Sequence, residues 1–202
     1  EDAHGRPSFP RVLGIMRQHW QEERGKVLEI AAELTAAIRE LESGEQVSAM
    51  APDSVLVARV LAAIQGRYDA INGGFGGAPK FPPGMRLELL MADAERFGGE
   101  TARRIGLHTL EQMARGGIYD QVGGGFHRYA TDAEWRVPHF EKMLYNQAHL
   151  ARLYLRAYEL TGERRWRLVA EDVFRFVARE MTAPEGGFYS ALDAETEAEE
   201  GK

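Results

Sequence analysis

Residues 127–146, HRYATDAEWRVPHFEKMLYN, hold the densest set of groups able to do chemistry. His127 and His139 lie in one stretch with Arg128, Tyr129, Asp132, Trp135, Glu141, Lys142, Tyr145 and Asn146. Histidine exchanges protons near neutral pH, so two of them at one ligand suit proton transfer at the carbon beside a carbonyl. Arg128, or Lys80 farther up the chain, would polarise the carbonyl oxygen. Phe126, Tyr129 and Trp135 offer ring faces for a sugar to pack on, with Phe75 in an earlier glycine loop as a further aromatic. Carboxylates at Asp132, Glu141, Asp193 and Glu195 would serve glycoside hydrolysis, which places two acids roughly 5–9.5 Å apart. The plainer reading makes the two histidines hydrogen-bonding struts and Glu141 a carboxylate at the positive start of a helix.

Other chemistries find less support. No His-x-x-x-His or Glu-x-x-His pair occurs on a helix, and there is no cysteine, so no transition-metal site and no cofactor are expected. The acidic run Asp193–Glu200 lacks EF-hand spacing and reads as a solvated charge run. The glycines at 73–77 follow no strand, which removes the dinucleotide-binding reading.

Helices must position these groups. Apolar spacing predicts helices near 10–24 and 27–41, then a linker at 43–52. Asp53 sits where an N-cap belongs, and helical spacing runs from there to Ile71. Further helices are expected at about 83–97, with Pro83 in the first turn, and at 101–115, 140–160 and 166–181. The sixth, starting at Phe140, is apolar around most of its circumference and should be buried. Strand patterning is expected only at 126–138, as one short β-hairpin turning at Thr131-Asp132-Ala133. NGGFGGAPKF, VGGGFHRY and EGGFYSAL repeat a glycine cluster followed by Phe after every second helix. That is the signature of stacked αα-hairpins, with three long loops on one face and short turns on the other. The long-loop face is where function belongs.

The 202 residues are 44% hydrophobic and 28% charged, as in a globular domain, with net charge -6. The acidic balance leaves no basic footprint for nucleic acid. No apolar run reaches the roughly 18 residues that span a bilayer. The absence of cysteine excludes disulfides and thiol nucleophiles in this stretch and fits a cytoplasmic setting. Both ends, EDAHGRPSFP and FYSALDAETEAEEGK, read as loops inside a larger fold, so the rest of the chain is expected to complete the architecture. A part-built array should expose the apolar flanks of its end helices and associate.

GGFGGAPKFP, GGIYDQVGGGFHRYATDAEWRVPHFEKMLY and SALDAETEAEEGK resemble the spermatogenesis-associated protein 20 family, also known as the DUF255 or YyaL-like family. The resemblance covers most of the chain. It implies a thioredoxin-like domain followed by an (α/α)6 toroid similar to N-acylglucosamine 2-epimerases. Residues 1–42 would then be the end of the thioredoxin-like domain, its redox cysteines lying upstream, and residues 53–202 the first part of the toroid. Where the family usually reads MLYDNA, this chain has MLYNQA, and Ala198 replaces a usual Gly. Asn146 cannot act as an acid or base and is left to hydrogen-bond a ligand. The implied function is a sugar epimerase or isomerase, with His127, His139, Glu141 and Asp193 as catalytic candidates. Phe75, Lys80, Phe126, Arg128, Tyr129, Trp135, Tyr145, Asn146 and Glu195 would bind the sugar or glycan. The alternatives are a non-enzymatic glycan- or protein-binding module beside a redox or chaperone domain, and a glycoside hydrolase.

Overall fold

The computed structural model describes residues 7–42, 53–196 and 199–200. The chain divides into two units, residues 1–52 and 53–202. The expected linker at 43–52 lies outside the described residues.

The first unit is two helices, α1 (Phe9–Glu22) and α2 (Arg24–Glu42). Pro10 in the first turn of α1 gives up only an N–H that no helical carbonyl could have accepted. The break falls at Glu23, and Gly25 lies inside the first turn of α2. Apolar residues of both helices, among them Leu13, Met16, Leu28 and Leu34, stay exposed.

The second unit is an array of helical hairpins: α3 (Ser54–Gln65), α4 (Gly84–Phe97), α5 (Glu100–Arg115), α6 (Leu144–Thr161) and α7 (Arg164–Glu180). Asp53 caps α3, its carboxylate accepting the Leu56 N–H at 2.8 Å. That helix stops at Gly66 rather than continuing to Ile71, because the chain turns there into the first glycine loop. Gly98 and Gly162 end α4 and α6 in the left-handed conformation, which glycine adopts without a Cβ penalty. α6 is the inner helix: Leu150, Leu153, Tyr154 and Ala157 are buried, and the Tyr154 hydroxyl donates to the Leu110 carbonyl at 2.7 Å. It packs against both α4 and α7. It begins four residues later than its apolar spacing suggests, since Lys142–Met143 are extended and paired.

The turns between α4 and α5 and between α6 and α7 are short, whereas 66–83 and 116–143 are long loops at the other ends of the helices. The repeat seen in sequence becomes a repeated structure. Tyr68 bridges Phe75, and Tyr119 bridges Phe126. Asp69 N donates to Gly74 O, and Asp120 N donates to Gly125 O. Oδ1 of Asp69 accepts two N–H groups of its loop, from Ile71 and Asn72, while Oδ1 of Asp120 accepts those of Val122 and Gly123. A buried lysine closes each loop. Lys80 Nζ donates to Asp69 Oδ2 at 2.7 Å and Gly73 O at 2.9 Å, and Lys142 Nζ donates to Asp120 Oδ2 at 2.6 Å and Gly124 O at 2.9 Å. Each loop also reaches the second helix of the next hairpin, through Tyr68 to His108 on α5 and through Tyr119 to Asp172 on α7. In the third loop Thr182 bridges Phe188 in the same way, but Ala183 stands where the aspartates stood.

Strands are not confined to one hairpin. β1 (Tyr129–Ala130) pairs with β2 (Pro138–His139), as expected. In addition β3 (Lys142–Met143) pairs with β4 (Ala191–Leu192), and β5 (Glu195–Thr196) with β6 (Glu199–Glu200). Two-residue strands are too short to carry an alternating pattern, so the sequence did not mark them. Together with the Lys80–Ala130 bridge and the Arg128 N to Glu141 O bond, the β1–β2 and β3–β4 pairings link the segments downstream of all three glycine loops backbone to backbone as a ladder of short two-stranded pairs.

Burial alone would raise the Asp120 pKa, but the Lys142 ammonium and the N–H groups of Gly123 and Val122 outweigh it and hold the carboxyl at about 2. Asp69 is likewise held well below the usual range, by the Asn72 and Ile71 N–H groups and by Lys80. A carboxylate with a depressed folded pKa stabilises the fold above its unfolded pKa of about 3.9 and loses that contribution as pH falls through the folded value. Denaturant unfolding should show stability steady above about pH 5 and declining from pH 4 towards 2, with a shallower decline in Asp120→Asn. Exposed Val55, Leu56 and Val60 on α3 and Phe174 on α7 should make residues 53–202, expressed alone, associate in light scattering.

Candidate functional site

The ladder gathers the candidate residues on the long-loop face. Tyr129 and His139 are cross-strand partners, and their rings stack with centroids 4.7 Å apart. Phe81, which follows Lys80, packs against Tyr129 with ring centroids 4.8 Å apart and planes tilted by 31°. Lys80 thus fixes a row of three rings, Phe81, Tyr129 and His139, through its backbone pairing with Ala130. Sequence reading did not single out Phe81; its signal was the aromatic directly after the lysine of GGAPKFP.

Glu141 lies outside the helix, so it does not act as a cap. Its Oε2 accepts from Arg128 Nη1 at 2.6 Å and lies 3.2 Å from His139 Nε2. Tyr145, half exposed, lies beside Arg128, whose guanidinium is held charged by Glu141 foremost. Four of the expected residues, Arg128, His139, Glu141 and Tyr145, therefore form one cluster. His127 is buried beside it, its ring edge-on to Phe140 at 5.4 Å. Desolvation lowers its pKa, which favours the neutral ring at neutral pH. Its Nδ1 lies 3.2 Å from the Phe140 carbonyl. A carbonyl only accepts, so Nδ1 carries the proton and Nε2 the lone pair.

Other expected ligand contacts are enclosed in the fold. Trp135 is fully buried, so its ring is no platform for a sugar. It has a positive φ of 66°, its Nε1 donates to Asn72 O at 2.8 Å, and its carbonyl accepts the Ile118 N–H. A Cβ at Gly74 would lie 2.6 Å from the indole, and one at Gly116 would lie 2.4 Å from the Trp135 carbonyl oxygen. Phe126 is also fully buried, stacked on Tyr154 at 5.5 Å. Gln147 grips the Phe126 backbone, its Oε1 accepting the N–H and its Nε2 donating to the carbonyl. Lys80 is 1% exposed, and its three donors go to Asp69, Gly73 and Ala133. None remains to polarise a substrate. Asn146 donates to the Arg128 carbonyl at 3.1 Å, so this amide supports the cluster from beneath.

The remaining residues lie at the edges. Asp132 caps the hairpin turn by accepting from the N–H groups of Glu134, Arg136 and Val137, which lower its pKa despite burial. Asp193 directly follows β4, which pairs with the strand of Lys142. Asp193 is exposed and accepts the Ala194 and Glu195 N–H groups; Glu195 is exposed in β5. Phe75 lies in the first loop, beneath the Arg86 guanidinium. Among the described residues no group of three His, Asp or Glu side chains is placed to hold a metal ion. Among them, too, no helix is long and apolar enough to cross a membrane.

Because Trp135 joins the first loop, the second loop and the hairpin, Trp135→Ala should cost about 3–5 kcal/mol. Denaturant unfolding of the full-length protein measures it.

No protein-family model matches the chain. It is 40% identical over its whole length to the human protein named spermatogenesis-associated protein 20, and spans 26% of that protein. The mouse protein of the same name is 38% identical over 100% of this chain and 26% of its own. An uncharacterized protein of Caenorhabditis elegans is 32% identical over 97% of this chain and 27% of its own. The chain therefore spans about a quarter of the length of the curated relatives it matches. Among solved structures it is similar to a sugar epimerase from a ruminal bacterium, with TM-score 0.60, 19% identity, and coverage of 66% of this chain and 37% of that one. The cellobiose 2-epimerase of Spirochaeta thermophila gives TM-score 0.57 and 17% identity over 70% of this chain and 42% of that one. At these identities the likeness concerns the fold, and it agrees with the alternation of long loops and short turns seen here. By sequence this chain belongs to the spermatogenesis-associated protein 20 family, and its helical hairpins are those of an (α/α)6 toroid.

Proposed function

We propose that the long-loop face binds a sugar and moves a proton at the carbon beside its carbonyl, as an epimerase or isomerase does. The observation that carries this reading is the chain of contacts from Arg128 to Glu141 to His139. A carboxylate beside an imidazole orients the ring and stabilises its charged form. The same carboxylate is fixed in place by a guanidinium. His139 would take the proton from the substrate carbon, and Glu141 would steady the imidazolium that results. His127 would be the second group, the two histidines sharing one extra proton: where His139 takes the carbon proton, His127 protonated at Nε2 returns one to the opposite face, and for the other epimer the bare Nε2 of His127 takes the proton while the His139 imidazolium returns one. Phe81 and Tyr129 would line the ring subsite in place of the buried Trp135 and Phe126. Asp193, joined to this region through β4, would be a further acid at its rim. Sugar-epimerase folds among the structural neighbours support the substrate class, while the residues above supply the chemistry.

A binding-only role is the second reading, and one observation favours it: Glu141 is already neutralised by Arg128. On either reading, residues 1–42 would be the end of a thioredoxin-like domain, and the rest of the full-length protein would complete the toroid.

The test incubates the full-length protein in heavy water with neutral, N-acetylated and phosphorylated sugars, and follows the C2 proton by NMR. Exchange should occur with at least one sugar and fall about 10²–10⁴-fold in His139→Ala, with the melting curve unchanged. Binding without exchange would select the binding-only role. Exchange equal in wild type and variant would remove His139 from the mechanism.

A further inference from the structure

Beside the row of rings lies a cleft of about 440 Å³, lined by Arg67, Phe75, Phe81 and Arg86 and by the loop from Gly76 to Pro79. Its volume is that of a small-molecule site, roughly 300–1,000 Å³. A smaller apolar hollow continues from it past Val60 and Ile64, sharing Arg67, Phe75 and Arg86. No Asp or Glu lines either part.

The two arginines are unlike most others in this unit. Arg156 meets Glu88 and Glu95, Arg165 meets Glu111 and Glu163, and Arg128 meets Glu141. Arg67 and Arg86 have no carboxylate partner among the described residues, in a chain with six more acidic than basic side chains. Asp69, the acid nearest Arg67 in sequence, is taken by Lys80 and by backbone N–H groups. The Arg67 main chain is fixed: its N–H donates to Ile64 O, and its carbonyl accepts the Gly76 N–H across the loop. Arg86 rides over the Phe75 ring at 5.4 Å. Stacking occupies the face of a guanidinium and leaves its N–H edge free to fork onto an oxyanion.

We infer that Arg67 and Arg86 bind the anionic group, phosphate or carboxylate, of a small ligand whose body lies against Phe75 and Phe81. Phe81 also belongs to the Phe81–Tyr129–His139 row, so the cleft adjoins the proposed sugar site. That places an acidic sugar, such as a sugar phosphate, across both. This extension rests on the sugar reading above; the anion site does not.

Calorimetry on the full-length protein at low ionic strength separates the two, with inorganic phosphate, glucose 6-phosphate and glucose as probes. Phosphate should bind saturably and weaken with added salt, since guanidinium–phosphate attraction at an exposed cleft is screened. Arg67→Gln/Arg86→Gln should weaken phosphate at least about tenfold. Arg67→Lys/Arg86→Lys should fall between, because ammonium keeps the charge and loses the fork. Both side chains are exposed, so these variants should melt as wild type does. Glucose 6-phosphate should bind more tightly than phosphate, and His139→Ala should leave inorganic phosphate binding intact. Absence of saturable phosphate binding, or equal affinity in the glutamine variant, overturns the anion site. Glucose 6-phosphate binding no tighter than phosphate overturns the acidic-sugar extension and leaves the anion site standing.

Discussion

A lysine ammonium removed from water needs its charge and all three N–H donors answered where it lies. Lys80 meets that demand with one carboxylate and two main-chain carbonyls, Asp69, Gly73 and Ala133. Lys142 meets it with Asp120 and Gly124, and its ammonium also lies 4.4 Å from the centre of the Phe176 ring. Removing either aspartate would strand a buried ammonium, at a cost below the roughly 3–5 kcal/mol of a fully buried pair because the carboxylates are partly exposed. The arrangement therefore holds a single loop conformation. Asp69 and Asp120 also organise their own loops through backbone N–H groups, so each strut joins loop shape to loop position.

The candidate site follows from these struts. Lys80 pairs through its backbone with Ala130, the neighbour of Tyr129, and carries Phe81 next to it. Lys142 adjoins Glu141 and pairs with β4, bringing the third loop's downstream segment alongside. Acid–base groups on the ladder thus sit on backbone fixed from both sides by buried ion pairs. Exposed or half-exposed groups such as Tyr145, Phe81, Arg67 and Arg86 remain available to a ligand, while Trp135 and Phe126 are spent on packing. A site built on crossing loops can be rigid when its polar main-chain groups and buried charges are all answered.

Much of the helical frame was legible in the chain. Periodicity located seven helices, Asp53 announced a cap, and the apolar character of residues 140–160 around most of the circumference announced the inner helix. The glycine repeat announced three related loops on one face. The limits of α3 and α6 were not legible, since apolar residues at Tyr68, Ile71 and Phe140 continue the helical spacing into segments that the ladder holds extended or turned. Within the candidate site, the link between His139 and Glu141 escaped the pattern because residues two apart do not share a helical face. They meet here because Glu141 lies outside any helix.

Residue types and spacing by themselves determined the αα-hairpin array, the face bearing the long loops, and the chemical inventory of that face. These are local properties, set by periodicity and by glycine's freedom at positive φ. Tertiary structure decided which members of the inventory face a ligand and which hold the fold. Lys80 read as a cation that polarises a substrate carbonyl and is a strut, Trp135 read as a platform and is core, and Arg67 and Arg86 carry no sequence signal and share a cleft. The reason is that burial and pairing depend on partners far apart in the chain, from Ala133 for Lys80 to Asn72 for Trp135, and no spacing within a segment encodes them.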